Sequence, residues 1–200
     1  MSFKATILRP DFYLPNRQVR GFTLIELMVT LAIGTILLMI AAPQFTSAIQ
    51  TQQSNAEMTN LMNDLQYARS EAIKEGQNVT ICASSNGKSC SGTTWNSGWI
   101  IFSNISNASP AAFKAGTDVL LRVQTAFTTK DNLTSSPATN SVTYNRDGFG
   151  TNFANATGQM FTLHNTPVNN NATRCVWLDA LGRQQVIKYG ATPTTGYSCS

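Results

Sequence analysis

Charge is scarce in this chain. Asp, Glu, Lys and Arg make up only 12% of its 200 residues, and there is one histidine, His164. That histidine lies in F-T-L-H-N, and no G-x-S-x-G elbow, Walker loop or paired-carboxylate motif accompanies it. No catalytic residue and no cofactor are expected. None of the four cysteines forms a C-x-x-C pair, and His164 is distant from all of them, so no metal site is expected either. No internal repeat is present. Gly148 and Gly150 read as loop residues, and the N-x-S/T sequons as chance products of an Asn-, Thr- and Ser-rich second half. That composition suits an extracellular β-rich domain.

The charge that is present is unevenly placed. The formal net charge is +4 and the sequence pI about 9.0. Residues 1–21 hold Lys4, Arg9, Arg17 and Arg20 against Asp11, and so carry three of those four net charges. Without them the remainder is nearly neutral, and bulk charge gives no argument for nucleic acid.

The one long apolar run is Phe22–Ala42, 21 residues containing a single charge. At 1.5 Å per residue it measures roughly 31 Å as a helix, the thickness of a bilayer's hydrocarbon core. It exceeds the ~7–15 residues of a secretory h-region. Its basic flank predicts a cytoplasmic N-terminus. The cysteines Cys82, Cys90, Cys175 and Cys199 would then lie on the periplasmic side, where disulfides persist. Three connectivities are possible, and Cys82–Cys90 with Cys175–Cys199 is favoured because each pair brackets a local loop.

Glu26 sits four residues into that run, where a carboxylate is costly without a partner. A cut between Gly21 and Phe22 would create an amine cation near the same depth, and the acid could neutralise that amine on a neighbouring subunit. The simpler alternative is a glutamate snorkelling to the interface. Pro43 removes a helical hydrogen bond and crowds the preceding turn, so a kink or local melting is expected there. Beyond it Phe45, Ile49, Ala56, Leu61, Leu65, Ala68 and Ala72 follow helical spacing, with Met58 and Met62 alongside as core packing. Gly76 reads as a cap. One helix is expected over Phe22–Glu75. Strands are expected over Val79–Ala83, Trp99–Ser103, Val119–Gln124, Ser141–Tyr144, Gln159–Leu163, Arg174–Leu178 and Gln184–Tyr189. The expected class is α+β, a long helix packed on an antiparallel sheet. Trp95 and Trp99 are expected to pack on that sheet.

The stretch R-G-F-T-L-I-E-L, with Pro43 at the twenty-second position after Gly21, resembles the class III signal of type IV pilins and type II secretion pseudopilins. C-A-S-S-N-G-K-S-C followed by W-N-S-G-W-I-I-F, and the late T-R-C-V-W-L-D-A-L-G-R-Q-Q-V-I-K-Y, are similar to the GspH/FimT group. The resemblance implies the type IV pilin fold and a division into a leader (1–21), a membrane and assembly helix (22–42), an amphipathic helix (43–76) and a β-rich domain (77–200). It implies cleavage after Gly21 by a prepilin peptidase, N-methylation of Phe22, and pairing of Glu26 with a neighbour's terminal amine. Partners would be other pilins, the peptidase and an inner-membrane assembly platform. The subunit would be a single-pass inner-membrane protein with a periplasmic domain. It would end in a pilus, or alternatively in a type II secretion pseudopilus. The leader is longer than many in that family, which leaves the start at Met1 open.

Some members of the group bind DNA through G-R-x-R near the C-terminus. Here Gly182-Arg183-Gln184-Gln185 keeps the first arginine and has glutamine in place of the second. With Arg174 and Lys188 nearby, a small patch for double-stranded DNA is conceivable, as is an ordinary solvated hairpin turn.

Overall fold

The structure is a computed structural model and describes residues 21–106, 112–151, 153, 158–193 and 197–200. Apart from Gly21, the expected leader lies outside the described residues. The chain divides into two compact units, one ending at Ala42 and the other running from Pro43 to Ser200. Helix α1 spans Leu24–Glu75 and contributes to both.

In the first unit α1 is the one helix among the described residues long and apolar enough to cross a membrane, with a mean hydropathy of 2.4 over 18 residues. Thr23 starts it. Its Oγ1 accepts the Glu26 N–H at 3.3 Å and its carbonyl accepts the Leu27 N–H at 3.2 Å, the pairing expected of an N-cap. Thr30 and Thr35 return their hydroxyls to the Leu27 and Ala32 carbonyls, so neither presents an unsatisfied donor to an apolar surrounding.

In the second unit Met58, Leu61, Leu65, Ala68 and Ala72 fall on one buried helical face. Two antiparallel four-stranded sheets share it. The first has the order β3-β2-β1-β5, from Val119–Thr125, Gly98–Ser103, Val79–Ala83 and Ser141–Tyr144. The second has the order β4-β6-β7-β8, from Asn132–Ser136, Gly158–His164, Arg174–Asp179 and Gln184–Lys188. Alternation decides which side chains meet the helix. Val79, Ile81, Ala83, Trp99, Ile101 and Tyr144 from one sheet join Leu133, Phe161, Leu163, Val176 and Leu178 from the other in a single core with α1. Trp95 sits at the seam, edge-on to Phe161 with centroids 5.0 Å apart, its indole N–H on the Thr139 carbonyl at 3.0 Å.

The outer faces are covered by loops that cysteines hold in place. Cys82 is bonded to Cys90, and with Ile100, Phe102 and Phe113 it closes the back of the first sheet. Cys175 is bonded to Cys199, and the chain end lays Tyr197 against Trp177 over the back of the second. This is why β1 is buried at every position, on both faces. Small domains with modest cores gain most from such cross-links.

The strands differ from the sequence reading in two respects. They form two sheets around one helix rather than one. Strand β4 was also not legible, because N-L-T-S-S has one apolar residue and no alternation. It forms because β6 offers it a partner edge, from Asn132↔His164 to Ser136↔Met160.

Candidate filament-assembly and head-positioning sites

Gly21 and Phe22 precede α1, and Glu26 lies in its first turn. Phe22 is 82% exposed, and the large apolar residues from Leu24 to Ile40 are exposed as well. A Cβ built on Gly21 would meet nothing within 4 Å. Packing among the described residues therefore gives no reason for glycine at that position. Side chains this apolar and this uncovered need lipid or other chains around them.

The head is fixed to α1 by three polar arrangements that the sequence alone does not reveal. In the first, Asp64 is buried and accepts the Trp99 indole N–H at 2.8 Å and Arg122 Nη1 at 2.6 Å. Arg122 in turn lies 4.2 Å from the centre of the Tyr67 ring, a cation–π placement. One helical carboxylate thus ties β2 and β3 to the helix.

In the second, Arg69 donates to three backbone carbonyls, from Nε to Gly148 at 3.0 Å, Nη1 to Gly182 at 3.1 Å and Nη2 to Leu181 at 3.1 Å. It pins one turn from each sheet. Gly182 has φ +76°, and a Cβ there would lie 2.5 Å from the Gly148 carbonyl, so glycine is required where the two turns touch.

The third is a polar cluster around Asp131. Asn165 Nδ2 donates to Asp131 at 3.0 Å and also to Ser54 on the helix. Thr129 donates to Glu57 at 2.7 Å. Burial pushes the Glu57 carboxyl above the usual carboxylate range. The Thr129 hydroxyl opposes that shift and the Asp131 charge adds to it. With the folded pKa raised above the unfolded one, the contribution of Glu57 to stability is fully present below the ordinary carboxylate range. It is lost as pH rises through the folded value. Glu57→Gln keeps an acceptor for Thr129 and removes the charge. Thermal unfolding at a series of pH values should show the variant more stable than the parent at neutral pH and level with it in acid. A variant less stable at neutral pH would contradict this account.

The cations weighed for one patch, against an ordinary solvated hairpin turn, are placed apart. Arg174 and Lys188 are cross-strand partners at one end of the β7–β8 hairpin. Arg183 is in the turn at the other end, where its Nε meets Asp179 at 2.7 Å. With β7 rising ~3.4 Å per residue, that is roughly 17 Å away. Gly182-Arg183 is thus accounted for by the turn itself, Gly182 through the Arg69 clamp and Arg183 through its carboxylate. His164 ends β6, half-buried.

One helix with a bare apolar end and a head of two disulfide-closed sheets defines a membrane-anchored, pilin-like structural subunit. The chain belongs to the family of the type II transport protein GspH, whose model matches residues 57–182. A prokaryotic N-terminal methylation motif matches residues 16–42. Among solved structures, the type IV minor pilin FimU of Pseudomonas aeruginosa matches in two crystal forms. In one the TM-score is 0.52 at 21% identity, over 78% of this chain and 99% of FimU. In the other it is 0.51, also at 21% identity, over 73% and 99%. The minor pseudopilin EpsH of Vibrio cholerae matches with a TM-score of 0.46 and 12% identity over 68% of this chain and 97% of EpsH. The likeness to FimU shows a shared fold. No curated protein sequence matches the chain significantly. The family is one of structural subunits that assemble with other pilins, not of enzymes.

Proposed function

We propose that this chain is a minor pilin of a type IV pilus, acting in pilus assembly and initiation and through it in twitching motility. The observation that carries the reading is the N-terminal constellation. Gly21, Phe22 and Glu26 stand at fixed spacing at the bare end of an apolar helix, joined to a GspH-family head. In this reading a prepilin peptidase cuts after Gly21 and the Phe22 amine is methylated. The apolar stretch holds the subunit in the inner membrane with its head in the periplasm. On engagement with the assembly platform the stretch leaves lipid for a helical bundle. There Glu26 offsets the Phe22 amine of the adjacent subunit, and Pro43 marks where the helix can loosen.

The cysteine-loop and Gly-Arg patterns support the pilus. The family's own description supports the second reading, a minor pseudopilin of type II secretion. Deleting the gene separates the two. Loss of surface pili and twitching with normal exoprotein secretion is the expected result, and lost secretion with intact pili would reverse the order. Contact with double-stranded DNA would need Arg183, Arg174 and Lys188 to act together. The hairpin separates the first from the other two and gives it a carboxylate partner.

A further inference from the structure

At the end of the β7–β8 hairpin away from its turn, Asn170, Asn171, Arg174, Lys188 and Tyr189 line a recess of about 320 Å³. Arg174 and Lys188 face each other across the two strands. Like charges directly opposite in an antiparallel pair destabilise it, and among the described residues neither has a carboxylate partner. The described lining holds no acidic side chain. Arg174 is nonetheless fixed in place. Its Nε donates to Asn55 Oδ1 at 3.0 Å, and its Nη1 to the Asn171 and Thr173 carbonyls at 2.7 and 2.9 Å. These acceptors are neutral, so they orient the guanidinium and leave its charge unmatched. Nη2 has no hydrogen-bond partner among the described residues.

A pre-oriented guanidinium, an ammonium beside it, and amide and phenol donors around them suit an oxyanion with several acceptor oxygens. We propose that this recess takes a single phosphate group. Its two cations and surrounding donors suit one phosphate, and its volume leaves room for whatever carries that group. A duplex presents a charge every ~1.7 Å and is held by a row of cations, and the next one along the hairpin, Arg183, is spent on Asp179. The group could come from a phospholipid headgroup or from free phosphate. The recess belongs to the part of the head built on the first turns of its helix. Asn169 there bonds Ser47 and Gln50, and Arg174 bonds Asn55. In sequence the apolar stretch ends just before these residues, at Ala42. The headgroup source therefore rests on the membrane-anchored reading, and binding of free phosphate does not.

The test uses the full chain, isotope-labelled, in micelles of an uncharged detergent. Inorganic phosphate and a short-chain phosphatidylglycerol are titrated separately, and amide and Arg Nε signals are followed by NMR. Saturable shifts at Arg174, Lys188 and Tyr189 are expected. Half-saturation should rise about fivefold in Lys188→Gln, whose exposed side chain makes no hydrogen bond or ion pair among the described residues, the loss of one partly exposed charge contact. Arg183→Gln should leave it unchanged. Shifts with both probes assign the phosphate group itself. Shifts with the lipid alone assign the headgroup, and shifts with phosphate alone assign the free anion and leave the membrane reading untouched. The proposal is overturned if neither probe moves these signals or if Lys188→Gln responds like the parent. It is also overturned if a short DNA duplex binds more tightly than either probe through Arg183.

Discussion

Replacing Asp64 with alanine should lower the stability of the head by about 2–4 kcal/mol, a large share of the ~5–15 kcal/mol typical of a folded domain. Three losses add. The Trp99 indole N–H is fully buried and would keep no acceptor. Arg122 would lose its carboxylate, and the helix would lose its tie to β2 and β3. The estimate stays below the range for a fully buried pair because the Arg122 side chain is 46% exposed and can recover water. Asp64→Asn keeps an acceptor for Trp99 and should cost about half as much. Lys74→Ala breaks only the exposed contact to Glu71 and should stay within ~0.5 kcal/mol of the parent. Urea unfolding followed by tryptophan fluorescence measures all three. An Asp64→Ala midpoint within error of Lys74→Ala would show that the network does not hold the head.

Glu26→Ala should cut incorporation into filaments about tenfold or more while leaving the subunit in the membrane. In the proposed reading the two effects separate because a carboxylate in an apolar run is unfavourable to insertion, whereas beside a neighbour's Phe22 amine it becomes favourable. Truncating one side of a buried charge pair costs about 2–5 kcal/mol, enough to cut incorporation tenfold or more. In a deletion strain carrying the variant, sheared filaments should be depleted of the subunit. The membrane fraction should contain it at the parent's level. Normal incorporation would mean that Glu26 merely snorkels, and the amine-pairing argument would be withdrawn.

These two residues mark how much the sequence discloses. Glu26 is legible because its environment is local: an acid in an apolar run is anomalous before any fold is known. The same holds for the amphipathic face of Met58, Leu61 and Leu65, and for seven of the strands, each of which carries its own alternation or apolar content. Asp64 is not legible. It reads as one more polar residue on the solvent side of a helix, and its partners Trp99 and Arg122 lie on two strands far along the chain. Arg69 is hidden for the same reason, since its acceptors are backbone carbonyls and leave no trace in side-chain identity. Strand β4 depends on its neighbour's edge, and proximity in sequence grouped Arg183 with Arg174 and Lys188 until the hairpin register separated them. Local chemistry shows itself in sequence, whereas pairing across the fold does not.

The reading as a pilin-like subunit turns on the junction at Gly21. The direct measurement is the intact mass and N-terminal sequence of the protein recovered from the membranes of its own host. The account predicts a chain that begins at Phe22 and carries one additional methyl group on its terminal amine. A chain that retains residues 1–21, or begins anywhere else, would contradict it.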